Sequence, residues 1–399
     1  MNSPQHSQSH FRVALLLGMS MALGPLAIDT YLPAFPAIAE SFNVGVHEIA
    51  ISISVYVFML AVGQLVAGPL SDRLGRPLVM LTGLGIFALA SIMLSRSDSN
   101  EMFLALRALQ AFGGGWIGVC VPAIVRDRLS GVEAARFFSL IGLVMILAPA
   151  VAPGIGSFIL TTFSWPAIFI MLFGYALVLG LLLRFLLFSS LTPPSKPQIP
   201  ISVLQRYNAV LSTKPALRYM LLQGLCFSVM LLFVAHSSFI YQEHFGATPK
   251  VFALLFAANI VVMMASNLIN RWLLKYIPSK RILRSSVIIQ ALAVVVLIII
   301  LIVAPSLWLF LPAMMIIVGI MGAITPNTQA CFMEYFSEHG GTASALIGAT
   351  QFSLSGLITV LSAFLPESVI AVVIAQGFCS LACVILVLGI RDGRATAKP

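Results

Sequence analysis

Twelve apolar runs, each long enough to cross a bilayer, take up most of the 399 residues. A hydrocarbon core of about 30 Å needs roughly 20 apolar residues of helix. Such runs lie at 12–38, 47–70, 77–95, 101–125, 136–160, 165–188, 217–241, 251–274, 284–304, 306–331, 341–364 and 368–390. Within lipid a segment must satisfy its own backbone N–H and C=O groups, so runs of this length read as helices. The expected fold class is an all-α polytopic membrane protein with twelve transmembrane helices. Composition agrees: 60% of residues are hydrophobic and 9% charged, where soluble domains carry about 25% charged. The first run continues to Ile38, past the 7–15 residues of a signal-peptide core, so it reads as an uncleaved first helix.

The net charge of +9 would suggest nucleic acid in a soluble chain. Here the cations sit in short loops and act as an orientation signal. With the N-terminus placed in the cytoplasm, nineteen of the 22 Lys and Arg fall on the cytoplasmic side; only Arg96 and Lys250 fall outside, and Arg107 lies within a span. Both termini are therefore expected in the cytoplasm. No nucleic-acid partner is expected.

The longest break holds Pro193, Pro194, Pro197, Pro200 and Pro215, and proline favours extended linker over helix. It divides the chain into an N-terminal six-helix bundle (1–188), a cytoplasmic linker (189–215) and a C-terminal six-helix bundle (216–399). A weak internal repeat agrees. Gly68-Pro69-Leu70-Ser71-Asp72-Arg73 corresponds to Ser266-Asn267-Leu268-Ile269-Asn270-Arg271, and Ser139-Leu140-Ile141-Gly142 to Ala345-Leu346-Ile347-Gly348. Repeated halves that hold a midplane site between them are a recurring transporter plan.

Two charged side chains lie deep in apolar runs: Asp29 and Arg107. Ionisable residues at such depth are expensive and mark ion or substrate pathways by default. Asp29 is seventeen residues past Arg12, about 25 Å along a helix, and Arg107 is six residues past Glu101, about 9 Å. The two thus reach a similar level in the outer half of the membrane, and one acid with one base suggests proton coupling. Tyr31, Tyr56, Gln110, Trp116, His236 and Gln351 are polar or aromatic positions within spans and candidates for a substrate cavity. A structural, hydrogen-bonded role is the alternative for His236. The five cysteines, all in apolar runs, read as packing residues with no metal-ligand spacing.

Four segments carry a resemblance. The loop Gly68-Pro69-Leu70-Ser71-Asp72-Arg73-Leu74-Gly75-Arg76-Pro77 closely resembles motif A of the major facilitator superfamily. Arg107-Ala108-Leu109-Gln110-Ala111-Phe112-Gly113 resembles its motif B, with Ala111 replacing a glycine. Ala148-Pro149-Ala150-Val151-Ala152-Pro153-Gly154-Ile155-Gly156 resembles motif C, found in antiporters rather than symporters, with alanine before Pro153 where glycine is usual. The segment Ile28-Asp29-Thr30-Tyr31-Leu32-Pro33-Ala34 looks like the first helix of twelve-span drug/proton antiporters, most of all the bicyclomycin and chloramphenicol resistance (Bcr/CflA) branch. The resemblance implies the major facilitator fold, with proton coupling at Asp29 and Arg107. It also implies a conformational latch of Gly68, Asp72, Arg73, Gly75, Arg76 and Asp127, with Asp72 meeting the start of span 11 in the outward-open state. Pro149, Pro153 and Gly156 would form the antiporter motif. Some relatives carry a second acid where this chain has Met21, so exchange of one proton per cycle is the simplest expectation.

The function expected is proton-coupled export of amphipathic small molecules or drugs by a monomer in the bacterial inner membrane. Narrow-specificity transport of a metabolite such as a sugar, nucleoside, amino acid or siderophore is the alternative. No enzyme activity, cofactor or metal is expected. The sequence shows no nucleophile–base constellation and no Gly-x-x-x-x-Gly-Lys-Ser/Thr phosphate loop.

Overall fold

The computed structural model describes residues 4–126, 131–190, 208, 210–336 and 340–389. Most of the expected linker, and the latch candidate Asp127, lie outside them. The described residues form an all-α membrane fold with these helices: α1 (Pro4–Asp29), α2 (Phe35–Phe42), α3 (Val46–Leu74), α4 (Arg76–Leu94), α5 (Asn100–Arg126), α6 (Gly131–Thr162), α7 (Trp165–Leu182), α8 (Lys214–Ser238), α9 (Pro249–Leu273), α10 (Ser279–Val303), α11 (Leu307–Gly319), α12 (Met321–Met333), α13 (Gly340–Ser362) and α14 (Val369–Leu388). Among the described residues, eleven stretches are long and apolar enough to span a membrane, and Leu147–Thr162 of α6 is a shorter apolar helix. Large apolar side chains such as Val303, Phe158 and Phe378 stand exposed. On a soluble protein these would be an aggregation hazard; on these helices they are the surface that meets lipid.

Two of the expected single runs are broken. The first ends as a helix at Asp29, passes through a turn and a short 3-10 segment (Leu32–Ala34), and resumes as α2. Pro33 and Pro36 supply the reason, since neither offers a backbone N–H to the turn before it. The tenth breaks at Ile320, between α11 and α12.

The chain divides into two compact units: Met1–Ile199 with Val234–Ile260 and Thr359–Phe364, and Pro200–Phe233 with Val261–Ile358 and Leu365–Pro399. In the first, α5 packs between α3 and α4, while α1 lies along α6. The glycine run in α5 makes this approach close enough. A methyl group at Gly113 would meet the Gly83 carbonyl oxygen of α4 at 2.6 Å, and one at Gly115 would strike the Leu60 carbonyl of α3. Small residues at helix contacts let membrane helices associate through backbone-to-backbone packing. In the second unit α10 packs on α11, α12 and α14. Gly322 of α12 there meets the Met263 carbonyl of α9 as closely as Gly115 meets Leu60. Two glycine-mediated helix contacts at corresponding spans accord with the internal repeat.

Candidate functional site

Asp29 is the last residue of α1, and its side chain is 6% exposed. What fixes the backbone there comes from α6. A methyl group at Gly156 would fall on the carbonyl oxygen of Thr30, so only glycine allows this approach. Ala152 and Ala148, one and two turns earlier on α6, are also buried. These three small residues form a buried stripe on α6, with Gly156 directly beside the turn that holds the acid. Pro149 and Pro153 lie inside this helix.

Arg107 of α5 is completely buried. Its guanidinium carbon lies 4.3 Å from the Tyr31 ring centre and 4.4 Å from that of Tyr56, a cation held between two aromatic faces. Nη1 donates to Gln110 Oε1, three residues on along the same helix face. Gln110 Nε2 donates in turn to Ser91 Oγ at 2.8 Å. Tyr31 is held by a 2.7 Å hydrogen bond between its hydroxyl and Ser52 Oγ, and it stacks among Phe35, Phe103 and Phe169.

The cage is incomplete. Arg107 Nε and Nη2, the edge that grips a carboxylate side-on, make no hydrogen bond. Each desolvated cation–π contact is worth about 2 kcal/mol, against a desolvation cost of several kcal/mol for a buried ion. Two rings and one amide bond leave that edge unmet. Asp29 does not fill it in this conformation, for no ion pair joins the two residues among the described ones. Tyr31 stands within electrostatic reach of both.

The remaining sequence candidates are spread more widely. Tyr31, Tyr56 and Gln110, expected at a substrate cavity, are all fully buried around Arg107. Trp116 is buried against Phe112 and against Gly83 of α4. His236 is buried, with Nε2 2.9 Å from Ser362 Oγ, beside a crevice also lined by His47 and Thr359. In the motif A loop Gly75 takes φ +88°, a conformation that suits glycine, and Pro77 sits in the first turn of α4. Asp72 pairs with Arg76 at 2.6 Å, Arg76 also reaches Ser71 Oγ, and the Gly68 carbonyl accepts from that same hydroxyl. Arg73 is exposed. The side chains at the start of α13 lie outside the described set.

Gln351 belongs to a second polar cluster, in the other unit. Gln223 Nε2 donates to Gln351 Oε1 at 2.8 Å and lies 3.4 Å from Thr325 Oγ1. Neither Gln223 nor Thr325 was singled out from the sequence, and nor were Ser52 and Ser91. Cys226 and Cys383 approach to 3.4 Å between their sulfurs, and all five cysteines are buried free thiols.

The profile of the Major Facilitator Superfamily matches residues 15–388. The chain belongs to the Major Facilitator Superfamily. Among relatives in this superfamily, the MFS-type transporter YdgK of Bacillus subtilis is 32% identical over 354 residues, 87% of each chain. The bicyclomycin resistance protein homolog of Haemophilus influenzae is 29% identical over 95% of each chain. The multidrug resistance protein MdtL of Escherichia coli is 28% identical over 94% of each. A solved D-xylose–proton symporter matches over 98% of each chain with a TM-score of 0.78 at 14% identity, a likeness of fold. The major facilitator fold and the likeness to the bicyclomycin-resistance branch, both expected from the motifs, are borne out. The chain is a multi-pass membrane transporter.

Proposed function

We propose that the chain is a proton-coupled antiporter that exports amphipathic small molecules from the bacterial cytoplasm, with Asp29 as the exchanged-proton carrier and Arg107 as its switchable partner. The observation that carries this reading is a buried carboxyl without an ion pair, in the same compact unit as a fully buried guanidinium whose side-on edge makes no hydrogen bond, with Tyr31 in electrostatic reach of both. Burial and a nearby cation act oppositely on a carboxyl group. A conformational change that alters their separation or solvation therefore changes the acid's affinity for a proton. Asp29 takes a proton from outside, the protein rocks inward, and arrival of substrate from the cytoplasm favours proton release as the carboxylate meets the open edge of Arg107.

Three features support the parts of this scheme. The α6 segment that resembles motif C packs its Gly156 against the residue next to Asp29, which ties the antiporter signature to the proton carrier. Relatives carry the names bicyclomycin resistance protein homolog and multidrug resistance protein. Met21 stands where some relatives have an acid, which favours one proton per cycle. At 100 mV, one inward proton contributes about 2.3 kcal/mol plus the pH gradient, enough for a concentration ratio on the order of 10²–10³. The asymmetry of Lys and Arg places both termini in the cytoplasm, and the two six-helix bundles rock about the 189–215 linker. The latch is set by Asp72, Arg73 and Arg76, with Gly75 shaping its turn and Asp127 joining the charge cluster.

The test is proton-gradient-driven uptake into everted membrane vesicles, followed with a pH-sensitive dye, in wild type and Asp29→Asn. Wild type should dissipate the gradient when substrate is added, and the variant should not. Undiminished gradient-driven transport by Asp29→Asn would remove the proposal.

A further inference from the structure

The turn that joins α9 to α10 carries more positive charge than its surroundings answer. Arg271, Lys275, Lys280, Arg281 and Arg284 fall within fourteen residues, and no Asp or Glu occurs from His244 to Met333. Lys280 pairs at 3.3 Å with Glu334, just past the end of α12. Arg271, Lys275 and Arg281 stand exposed, and among the described residues their charged ends have no ion pair or hydrogen bond. The matching turn of the first unit is built differently. There Asp72 holds Arg76 at 2.6 Å, so an acid of the turn itself takes up part of the charge. The internal repeat puts Asn270 at that place. Asn270 is buried, and its Oδ1 accepts from Asn327 Nδ2 of α12 at 2.6 Å. The second turn thus has a neutral, tied-down residue where the first has an acid.

What lies beside these cations is apolar and exposed. Trp272 and Tyr276 are 56% and 70% exposed, with ring centres 5.4 Å apart. Leu268 on α9, and Ile289, Leu292 and Val296 on α10, continue exposed away from the turn. They recur at three- and four-residue steps, so each helix carries an outward stripe that ends at the charged turn. Trp and Tyr are enriched where hydrocarbon gives way to headgroups. A soluble anion would use the charges and leave the stripes idle; a phospholipid uses both.

We infer that this turn is a docking surface for an anionic phospholipid, its headgroup phosphate among Arg271, Lys275 and Arg281 and its acyl chains along the stripes of α9 and α10. Clustered cations beside membrane helices attract anionic headgroups, and each Lys or Arg near the surface adds to the attraction. Arg meets phosphate through paired donors and Lys as a compact charge. On the orientation proposed above, the lipid belongs to the cytoplasmic leaflet. It supplies from the membrane the negative charge that Asp72 supplies from within the first unit's turn. Lipid binding requires no proton coupling, so the inference stands apart from the export reading.

Fluorescence quenching of the full chain in vesicles tests this. Two single-tryptophan proteins are compared, one keeping Trp272 and one keeping Trp308, with the other three tryptophans replaced by Phe. Trp308 is 77% exposed, and no Lys or Arg occurs between Arg284 and Arg391. The probes are bromine-labelled phosphatidylglycerol and bromine-labelled phosphatidylcholine. Trp272 should be quenched more strongly by the anionic lipid, and Trp308 equally by both. Lys275→Gln and Arg281→Gln should each lower the preference at Trp272 about fivefold, while Lys275→Arg keeps it. Native mass spectrometry gives a second reading that needs no tryptophan replacement. The wild-type chain should retain phosphatidylglycerol over phosphatidylcholine, and the double glutamine variant should lose that retention; thermal unfolding is followed throughout. Equal quenching of Trp272 by the two lipids overturns the inference, as does a preference that survives in the double variant. Loss of the preference on adding inorganic phosphate also overturns it, because the surface would then be reading a soluble anion.

Discussion

The polar clusters of the two units have opposite characters. In the first, Asp29 and Arg107 are ionisable and buried, and Arg107 lies between two rings with part of its guanidinium unmet. In the second, Gln223, Thr325 and Gln351 are neutral, and two of the three are half-buried. An unmet charge is costly, and its state changes when its surroundings change; a neutral amide cluster costs little and offers directional contacts. In the proposed transporter this contrast assigns energy coupling to the first unit.

The strongest way to break that contrast, after the Asp29 variant, is Arg107→Met. If the guanidinium serves coupling, its loss should cut pH-gradient-driven export by about 100-fold or more while substrate binding stays within a few-fold. Thermal stability should hold or rise, because replacing a buried charge by an apolar side chain of similar volume is often neutral or stabilising. Arg107→Lys keeps the charge and loses the side-on edge, so it too should fall at least tenfold in export. Wild-type export by the lysine variant would show that a point charge suffices.

Gly156→Ala comes next. Its methyl group would collide with the Thr30 carbonyl, and the backbone of α6 or of the Asp29 turn must shift. Overpacking of this kind costs about 1–3 kcal/mol, read as a lower unfolding temperature together with reduced coupling. Gly154→Ala is the control, since a methyl there meets nothing within 4 Å. Equal effects from the two alanines would mean that helix flexibility, and not the contact beside Asp29, is what glycine supplies.

How much of this was legible beforehand differs between the two clusters. Periodic apolar runs gave the spans, since a bilayer sets their length. The depth of Asp29 and Arg107 and the three-residue step from Arg107 to Gln110 also follow from helix arithmetic. The aromatic cage does not, because Tyr31, Tyr56 and Arg107 come from three different segments and meet only through tertiary packing; the tyrosines read as cavity candidates for that reason. The break after Asp29 was signalled by Pro33 and Pro36, yet the apolar run masked it. Gln223 could have been found by the argument that found Asp29: a polar residue deep in an apolar run requires a partner or a purpose. Its neutrality made the signal weaker, and its partners, Thr325 and Gln351, are more than 100 residues away.

The smallest effects separate the two tyrosines of the cage. Their rings flank Arg107 at nearly equal distance, but only the Tyr31 hydroxyl has a partner, Ser52, while that of Tyr56 is buried without one. Phenylalanine keeps the ring and removes the oxygen. Tyr31→Phe should cost about 1 kcal/mol through the lost hydrogen bond and should lower export modestly, because a ring that flanks Arg107 loses its tether. Tyr56→Phe removes an oxygen that bonds nothing, so stability should stay level or rise slightly, with export unchanged. Thermal unfolding of the two variants, side by side, reads this difference. If Tyr56→Phe proves the more damaging, its hydroxyl has a partner in another conformation of the cycle, and the cage would have to be reckoned as part of the moving machinery and not as the arginine's fixed support.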